Sequence, residues 1–248
     1  MTIVLVHGNP ETDAIWGPLV AALGRDDVVR LSPPGFGAAL PDDFSATYLA
    51  YRDWLTVELE AIDGAVDLVG HDWGGGHVVN VVMHRPELVR SWASDVLGLF
   101  DPDYVWHDFA QVWQTPGDGE QLVDTMIGGT VEERAAQLTT LGIPPDMATS
   151  IAEDQVPQMG RAILDLYRSA RQPAMAEAGR ELERARARPG LSLLATEDPY
   201  VGSDETRRRA AERAGAHTEV LSGLGHWWMV QDPARGAAAL RRFWETLD

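Results

Sequence analysis

Three side chains, each in a short stretch rich in Gly or Pro, could together carry out a nucleophilic displacement. Asp72 is at the centre of GHDWG, His226 lies within GLGHWW and Asp198 lies within EDPY. The GHDWG stretch follows an apolar run and has the Gly-x-nucleophile-x-Gly form of a sharp turn from a strand into a helix. The order nucleophile, acid, histidine suits a triad in which the acid orients the histidine and the histidine activates water. These roles are therefore assigned to Asp72, Asp198 and His226.

An aspartate at the nucleophile position favours attack on saturated carbon. Serine that attacks an acyl carbon gives an ester, which water hydrolyses, but serine that attacks saturated carbon would give an ether, which water does not readily cleave. A carboxylate that attacks saturated carbon gives an alkyl ester, and activated water then frees the alcohol. Asp72 therefore indicates an alkyl halide or an epoxide as the substrate. The alternative for the glycines at 74–76 is a plain helix-packing turn.

Alternatives stay open at the positions around this triad. Asp95, directly after SWAS, also follows a predicted strand and is an alternative acid. We favour Asp198 because an acid followed by Pro-Tyr after its strand suits the position. The stretch VHGNP closes the first strand, and its turn would direct the N–H of Asn9, with that of Trp73, at an oxyanion; the alternative is an ordinary turn. His71 is expected to shape the turn beside Asp72.

The pattern of apolar runs predicts the scaffold that positions these residues. Short β-branched runs alternate with amphipathic segments, which is typical of a mostly parallel, doubly wound α/β sheet. The predicted strands are 2–6, 27–31, 65–69, 89–94, 191–196 and 217–221, and the predicted helices are 15–23, 46–62, 76–85, 204–214 and 234–246. Residues 97–187 hold no convincing strand run. We expect a helical cap there, inserted into an α/β core made of 1–96 and 188–248.

Composition and charge exclude several other classes of protein. The formal net charge is -18, from 20 Lys+Arg against 38 Asp+Glu, so neither nucleic acid nor a membrane is expected as a partner. The absence of cysteine excludes a disulfide framework, a thiolate zinc site and a cysteine nucleophile. The apolar run at residues 3–6 is too short for a signal segment, so we expect a cytoplasmic protein. The displacement needs neither a metal nor an organic cofactor, and the oligomeric state is left open.

Together the motif stretches resemble the α/β-hydrolase superfamily, in the branch that contains haloalkane dehalogenases and epoxide hydrolases. The matching stretches are HGNPETDAIW, GHDWGG, EDPYVG and GLGHWW, which span nearly the whole chain. The resemblance implies an α/β-hydrolase fold with a helical cap and a catalytic triad of Asp72, His226 and Asp198. The family usually has two antiparallel strands before the strand that ends in HG. Met1 begins at that strand, so we expect the sheet to lack those edge strands.

The resemblance also bears on the leaving group. Dehalogenases hold the halide between an Asn side chain after HG and the indole N–H after the nucleophile, and Asn9 and Trp73 match both positions. Epoxide hydrolases use two cap tyrosines as the acid for the alkoxide. Phe109 stands at the first of these positions, Tyr167 stands at the second, and Tyr104 could replace the missing phenol. We expect a haloalkane dehalogenase-like reaction, with an epoxide hydrolase as the alternative.

The expected substrate is a small apolar organic molecule that enters between core and cap. The predicted pocket residues are Tyr104, Trp106, Phe109, Trp113 and Tyr167. A further alternative is a non-catalytic binding protein on the same fold. The complete triad argues against it, because a receptor needs no nucleophile, base and acid together.

Overall fold

A six-stranded parallel sheet forms the centre of the molecule in the computed structural model, which describes residues 1–247. The strands are β1 (Thr2–Val6), β2 (Val28–Leu31), β3 (Val66–Gly70), β4 (Ser91–Ser94), β5 (Gly190–Ala195) and β6 (Ala216–Leu221). Their order across the sheet is β2-β1-β3-β4-β5-β6, and every neighbouring pair is parallel. The predicted α/β-hydrolase fold class is confirmed, and each predicted strand is present within one or two residues.

Helices connect the strands, as parallel pairing requires. The α-helices are α1 (Gly17–Leu23), α2 (Tyr48–Glu60), α3 (Trp73–His84), α4 (Asp108–Trp113), α5 (Asp118–Ile127), α6 (Val131–Thr140), α7 (Pro145–Asp154), α8 (Pro157–Ser169), α9 (Ala174–Ala178), α10 (Asp204–Ala214), α11 (Trp228–Gln231) and α12 (Pro233–Glu245). Short 3-10 turns lie at Asp13–Trp16, Pro86–Leu88, Leu97–Phe100 and Gly179–Ala187. Local signals set some of these ends: the Thr47 hydroxyl caps α2, and the Ser203 hydroxyl caps α10.

Apolar side chains of the central strands pack on both faces of the sheet. Along β1, Val4 and Val6 join one hydrophobic cluster, whereas Ile3 and Leu5 join the other. This alternation follows from the two-residue period of a strand. Helix α1 packs against α12, and α2 packs against α3. A sheet buried on both faces holds its strand ends rigidly, and the candidate site is built on those ends.

The edges of the sheet differ from its centre. Strand β2 lies at one edge with β1 as its neighbour, and no strand lies on its outer side among residues 1–247. Its middle residues Val29 and Arg30 are exposed. Strand β2 is therefore the edge of the described sheet on this side.

Residues 97–187 form helices and connecting turns without a strand. Helices α4, α5 and α8 of this segment contact one another, and α6 packs against α7. We call residues 97–187 the cap; the exact division into core and cap stays a prediction. No helix in the described part of the chain combines the length and the apolar character needed to cross a membrane.

Candidate active site

The turn between β3 and α3 places Asp72 at the carboxyl edge of the sheet. Strand β3 ends at Gly70, helix α3 begins at Trp73, and Asp72 between them has φ 50° and ψ −130°. This backbone conformation is strained for any residue other than glycine, and it persists only where the surrounding structure enforces it. A Cβ on Gly74 would overlap the Val6 carbonyl. The small residues of GHDWGG therefore let α3 approach β1 closely and project the Asp72 carboxylate outward.

The two oxygens of the Asp72 carboxylate have different surroundings. Oδ1 accepts a hydrogen bond from the Asn9 backbone N–H at 2.9 Å. Oδ2 lies 3.9 Å from Nε2 of His226. A Cβ on Gly8 would overlap this carboxylate, so only glycine fits there. Burial raises the pKa of Asp72, while the charges of His226 and His71 and the Asn9 N–H oppose that rise.

His226 is held by Asp198 through the ring nitrogen that faces away from Asp72. Its Nδ1 lies 2.8 Å from Oδ2 of Asp198, and both side chains are almost fully buried. Burial alone would lower the pKa of His226, but the negative charge and hydrogen bond of Asp198 outweigh it, so the pKa is raised. Burial alone would raise the pKa of Asp198, but the charge and hydrogen bond of His226 lower it on balance. The pair leaves Nε2 directed at Asp72.

Asp95, the alternative acid, does not contact His226. Its Oδ2 lies 2.5 Å from Nδ1 of His71 and accepts from the Trp228 indole at 2.7 Å. Its Oδ1 accepts from the backbone N–H of Asp72 at 3.0 Å. The carboxylate is therefore fully engaged beneath the turn, which removes the geometric basis for its role as the partner of His226.

Glu11 is a buried part of the site that the sequence reasoning missed. Its Oε1 lies 3.2 Å from Nε2 of His71 and accepts from the Trp227 indole at 2.5 Å, while Oε2 accepts from the Gly8 N–H at 3.3 Å. Burial raises the pKa of Glu11, but the charge and hydrogen bond of His71 dominate and lower it to about 2. The sequence signal that could have identified Glu11 is its position directly after HGNP.

His71 lies between two carboxylates with both ring nitrogens engaged. Burial alone would lower its pKa, but the charges of Asp95 and Glu11 raise it well above the ordinary value. Glu11, His71 and His226 also have potential ligand atoms within 4.8 Å of one another. Each of these side chains already has a hydrogen-bond partner, including an indole on Glu11, so the donor set fits a hydrogen-bond network better than a metal site.

Donors for a leaving group converge on one point beside Asp72. Nδ2 of Asn9 donates to the hydroxyl of Tyr167 at 3.4 Å. The Trp73 and Tyr167 rings meet edge to face, with centroids 5.4 Å apart. Burial and the Asp72 charge raise the pKa of Tyr167 well above its ordinary value, whereas hydrogen bonds with the Asn9 and Trp73 side chains act in the opposite direction. An amide, an indole and a phenol therefore meet here.

A cavity of about 260 Å³ lies over Asp72 and His226, between the sheet and the cap. Its wall is mostly apolar and comprises Phe109, Trp113, Leu122, Met126, Leu141 and Trp227; exposed polar residues at its rim are Thr125, Gln137 and Thr140. No lysine or arginine lines it. Burial lowers the pKa of His107, which also lines the wall, to about 4. Apart from His226, whose pKa is raised, the described residues of the wall therefore offer no cation to a charged substrate.

The sequence model described as "Alpha/beta hydrolase family" matches residues 3–239. The chain belongs to this family. An uncharacterized protein of Mycobacterium tuberculosis is 24% identical to it over 264 residues, which cover 99% of this chain and 76% of that protein. An uncharacterized protein of Mycobacterium bovis matches to the same extent.

Solved structures similar to this α/β-hydrolase include two proteins related by fold. The haloalkane dehalogenase DbeA from Bradyrhizobium elkani is 19% identical, with a TM-score of 0.72 over 99% of this chain and 91% of that one. An E-2-(acetamidomethylene)succinate hydrolase is 17% identical, with a TM-score of 0.69 over 98% of this chain and 91% of that one. At these identities the likeness establishes the fold alone.

The predicted pocket residues of this α/β-hydrolase fall into two groups. Phe109, Trp113 and Tyr167 line the large cavity. Tyr104 and Trp106 instead line a smaller space beside it, where Tyr167 also contributes. The Tyr104 hydroxyl donates to the Tyr200 carbonyl at 2.9 Å. The proton of this hydroxyl is engaged in that bond, and the expectation that Tyr104 could replace the missing phenol stays a prediction.

Proposed function

We propose that this α/β-hydrolase cleaves carbon–halogen bonds at saturated carbon through an ester on Asp72. The observation that carries the proposal is that the two oxygens of the Asp72 carboxylate have different surroundings. Oδ1 is held by the Asn9 N–H, while Oδ2 faces the cavity and His226. A carboxylate in this place gives an ester that water can hydrolyse, which serine would not give at saturated carbon.

The first step forms one bond and breaks another. Oδ2 of Asp72 attacks the carbon, and the halide leaves with the bonding electron pair. Nδ2 of Asn9 and the indole N–H of Trp73 are the donors offered to the departing halide, and a halide needs no proton. The Tyr167 hydroxyl now accepts from Asn9 and can rotate to become a third donor.

The second step uses His226 as a general base. Nε2 takes a proton from water, and the resulting hydroxide attacks the carbonyl carbon of the Asp72 ester. The Asn9 N–H, already 2.9 Å from Oδ1, stabilises the negative oxygen, and the N–H of Trp73 is the second expected donor. His226 then returns its proton to the departing alkoxide, which leaves as the alcohol, and the Asp72 carboxyl left behind releases its proton to water. The sum is R–X plus water giving alcohol, halide and a proton, with Asp198 holding the ring of His226 in the required orientation.

The cavity favours a neutral, mostly apolar substrate. Its wall carries no lysine or arginine, and the lowered pKa of His107 keeps that side chain uncharged near neutral pH. A carboxylate on the substrate would lose its hydration, and the ring with which it could pair, His226, is the base that the second step needs uncharged. Haloalkanes are therefore expected to react in preference to halogenated acids.

Hydrolysis of an epoxide is the second candidate, and the position of Tyr167 favours it. Its phenol lies within 3.4 Å of Asn9 Nδ2, beside the nucleophile. There it could give its proton to the alkoxide formed when Asp72 opens the ring. The family pattern uses two phenols, and here the place of the first is taken by Phe109, while the Tyr104 hydroxyl is bonded to a carbonyl. Because Tyr167 is the one phenol at these two positions, we rank epoxide hydrolysis below cleavage of a carbon–halogen bond.

Intact-protein mass spectrometry on His226→Phe tests the proposal. This variant keeps the nucleophile but lacks the base, so an ester should accumulate after incubation with 1-bromohexane. The matched control is the double variant His226→Phe with Asp72→Ala, which should remain unmodified. A hexyl adduct that requires Asp72 is the expected result. An adduct from styrene oxide alone would transfer the assignment to epoxide hydrolysis, and no adduct from either would favour the binding-protein alternative.

A further inference from the structure

Beneath the nucleophile turn lies a buried charged cluster that the proposed reaction does not use. His71 stands between Glu11 and Asp95, with one ring nitrogen 3.2 Å from the first carboxylate and the other 2.5 Å from the second. All three side chains are at most 2% exposed. None of them lines the cavity above Asp72, so a substrate there does not touch them.

Besides their contacts with His71, the two carboxylates accept hydrogen bonds from the turn that carries Asp72 and from the segment that follows His226. Asp95 accepts from the backbone N–H of Asp72, which fixes the nucleophile turn. Glu11 accepts from the indole of Trp227, the residue after His226. Asp95 also accepts from the indole of Trp228. One connected network therefore runs from the nucleophile to the loop that carries the base.

We propose that Glu11, His71 and Asp95 form a positioning network that sets the spacing between Asp72 and His226. The inference rests on the proposed function, because that spacing, 3.9 Å between Asp72 Oδ2 and His226 Nε2, matters for a water-mediated attack on an Asp72 ester. Each member acts through its neighbours and does not touch the substrate.

The cost of burial supports a role beyond stability. Removing charges from water is expensive, and apolar side chains of similar volume often stabilise a core better than a buried ion pair does. This cluster buries two carboxylates against a single imidazole. In return, the cluster fixes the relative positions of four segments through six hydrogen bonds. These segments are the loop after β1, the nucleophile turn, the end of β4 and the loop after β6.

A buried acid at the opposite end of the strands supplies a matched control. Asp67 on β3 is fully buried and accepts two hydrogen bonds from Arg90 and one from Ser91. It lies on the same strand that leads to Asp72, and the hydrogen-bond partners of its side chain, Arg90 and Ser91, lie outside the candidate site. Asp67→Asn therefore reproduces the loss of a buried charge without disturbing the network.

Steady-state kinetics on Glu11→Gln, Asp95→Asn and Asp67→Asn form the activity test. These exchanges keep side-chain size, remove the negative charge and replace one acceptor oxygen by an amide donor. We expect kcat for 1-bromohexane to fall by about 100-fold in the first two variants, since a small misplacement of reacting groups has that effect. KM should stay within about threefold in Asp95→Asn, because the side-chain partners of Asp95, His71 and Trp228, lie outside the cavity wall. In Glu11→Gln the change in KM can be larger, because Trp227, which donates to Glu11, is part of that wall. Asp67→Asn should change neither constant by more than about threefold.

Two additions keep the test informative if a charge-removing variant does not fold. Trp228→Phe removes one indole donor to Asp95 without changing a charge, and its kcat should fall by about tenfold. Ring ¹⁵N NMR of the resting protein should show His71 protonated on both nitrogens at neutral pH. The His226 ring signals should move in Glu11→Gln and Asp95→Asn but not in Asp67→Asn.

The outcomes separate the network from the reaction. If the wild-type protein turns over substrate and the network variants match Asp67→Asn in kcat, the network assignment is wrong while the reaction stands. If no substrate forms an ester but the His226 signals still respond to Glu11 and Asp95, the network stands while the reaction fails. A neutral His71 in the resting protein would overturn the network directly.

Discussion

Two buried histidines lie side by side in this protein and differ in how many of their ring nitrogens are engaged. The rings of His71 and His226 have centroids 4.5 Å apart. His226 has one carboxylate partner and keeps Nε2 directed at the cavity, whereas His71 has a carboxylate on each nitrogen and no access to the cavity. In the proposed reaction and network, His226 therefore acts as a base, whereas His71 acts as a fixed cation.

The difference shows what a general base requires. A base has to accept and release a proton within one catalytic cycle, so one nitrogen must stay open to water. His226 meets this condition with a single anchoring acid. A second carboxylate, as on His71, would hold the imidazolium form and prevent release of the proton.

Asp198→Asn should give the largest effect, because it removes the carboxylate that is hydrogen-bonded to Nδ1 of His226. Hydrolysis of the Asp72 ester is expected to slow by about 10⁴-fold, as the ring loses its orientation and the stabilisation of its charged form. Ester formation should continue, so quenched-flow mass spectrometry should show the adduct accumulating. Asp95→Asn, with a smaller expected loss, is the comparison variant. A greater loss in Asp95→Asn would reverse the roles assigned to the two acids.

Removal of the His71 ring should affect stability much more than removal of the His226 ring. His71→Ala leaves Glu11 and Asp95 buried without their shared cation, which is expected to lower the free energy of unfolding by about 3–5 kcal/mol. His226→Ala leaves one carboxylate, that of Asp198, without its hydrogen-bond partner and opens it to the cavity. The free energy of unfolding should therefore fall by less than in His71→Ala. Urea unfolding of both variants measures this difference. Equal losses would show that His71 is not the structural cation inferred here.

The pH dependence should also distinguish the two rings. The raised pKa of His226 means that its neutral, active form is lost as the pH falls through a value above 6.5, and ester hydrolysis should then drop about tenfold per pH unit. The stability contributed by His71, whose folded pKa is raised further, is present at neutral pH and lost only as the pH rises through that higher value. Kinetic and unfolding profiles over the same pH range test both statements. Coincident midpoints would contradict the distinction.

Tyr167→Phe should have the smallest effect if a halide is the leaving group. Asn9 and Trp73 remain as donors, so turnover of 1-bromohexane should change by less than about tenfold. For an epoxide the phenol supplies the proton, and the loss should be about 10²–10⁴-fold. Parallel rates with the two substrates would decide whether His226 is the only side chain in this site that moves a proton.

The sequence was informative where chemistry follows from local order in the chain. The six strands, the turn that carries Asp72 and the chain order of Asp198 and His226 are visible as short motifs. Glu11 was missed because a single acid in a loop gives no sign of whether it is solvated or buried. The direction of the Tyr104 hydroxyl was also missed, since it depends on a carbonyl at Tyr200, far along the chain. Contacts between distant loops require the folded structure.

The exposure of the cavity rim bears on how the protein can evolve. Thr125, Gln137 and Thr140 are exposed, and exchanges at such surface positions usually alter stability by no more than about 0.5 kcal/mol. The acids beneath the nucleophile turn, in contrast, tolerate little variation because each is fully enclosed. Single exchanges at the rim can therefore vary which molecules enter while the chemistry below is preserved.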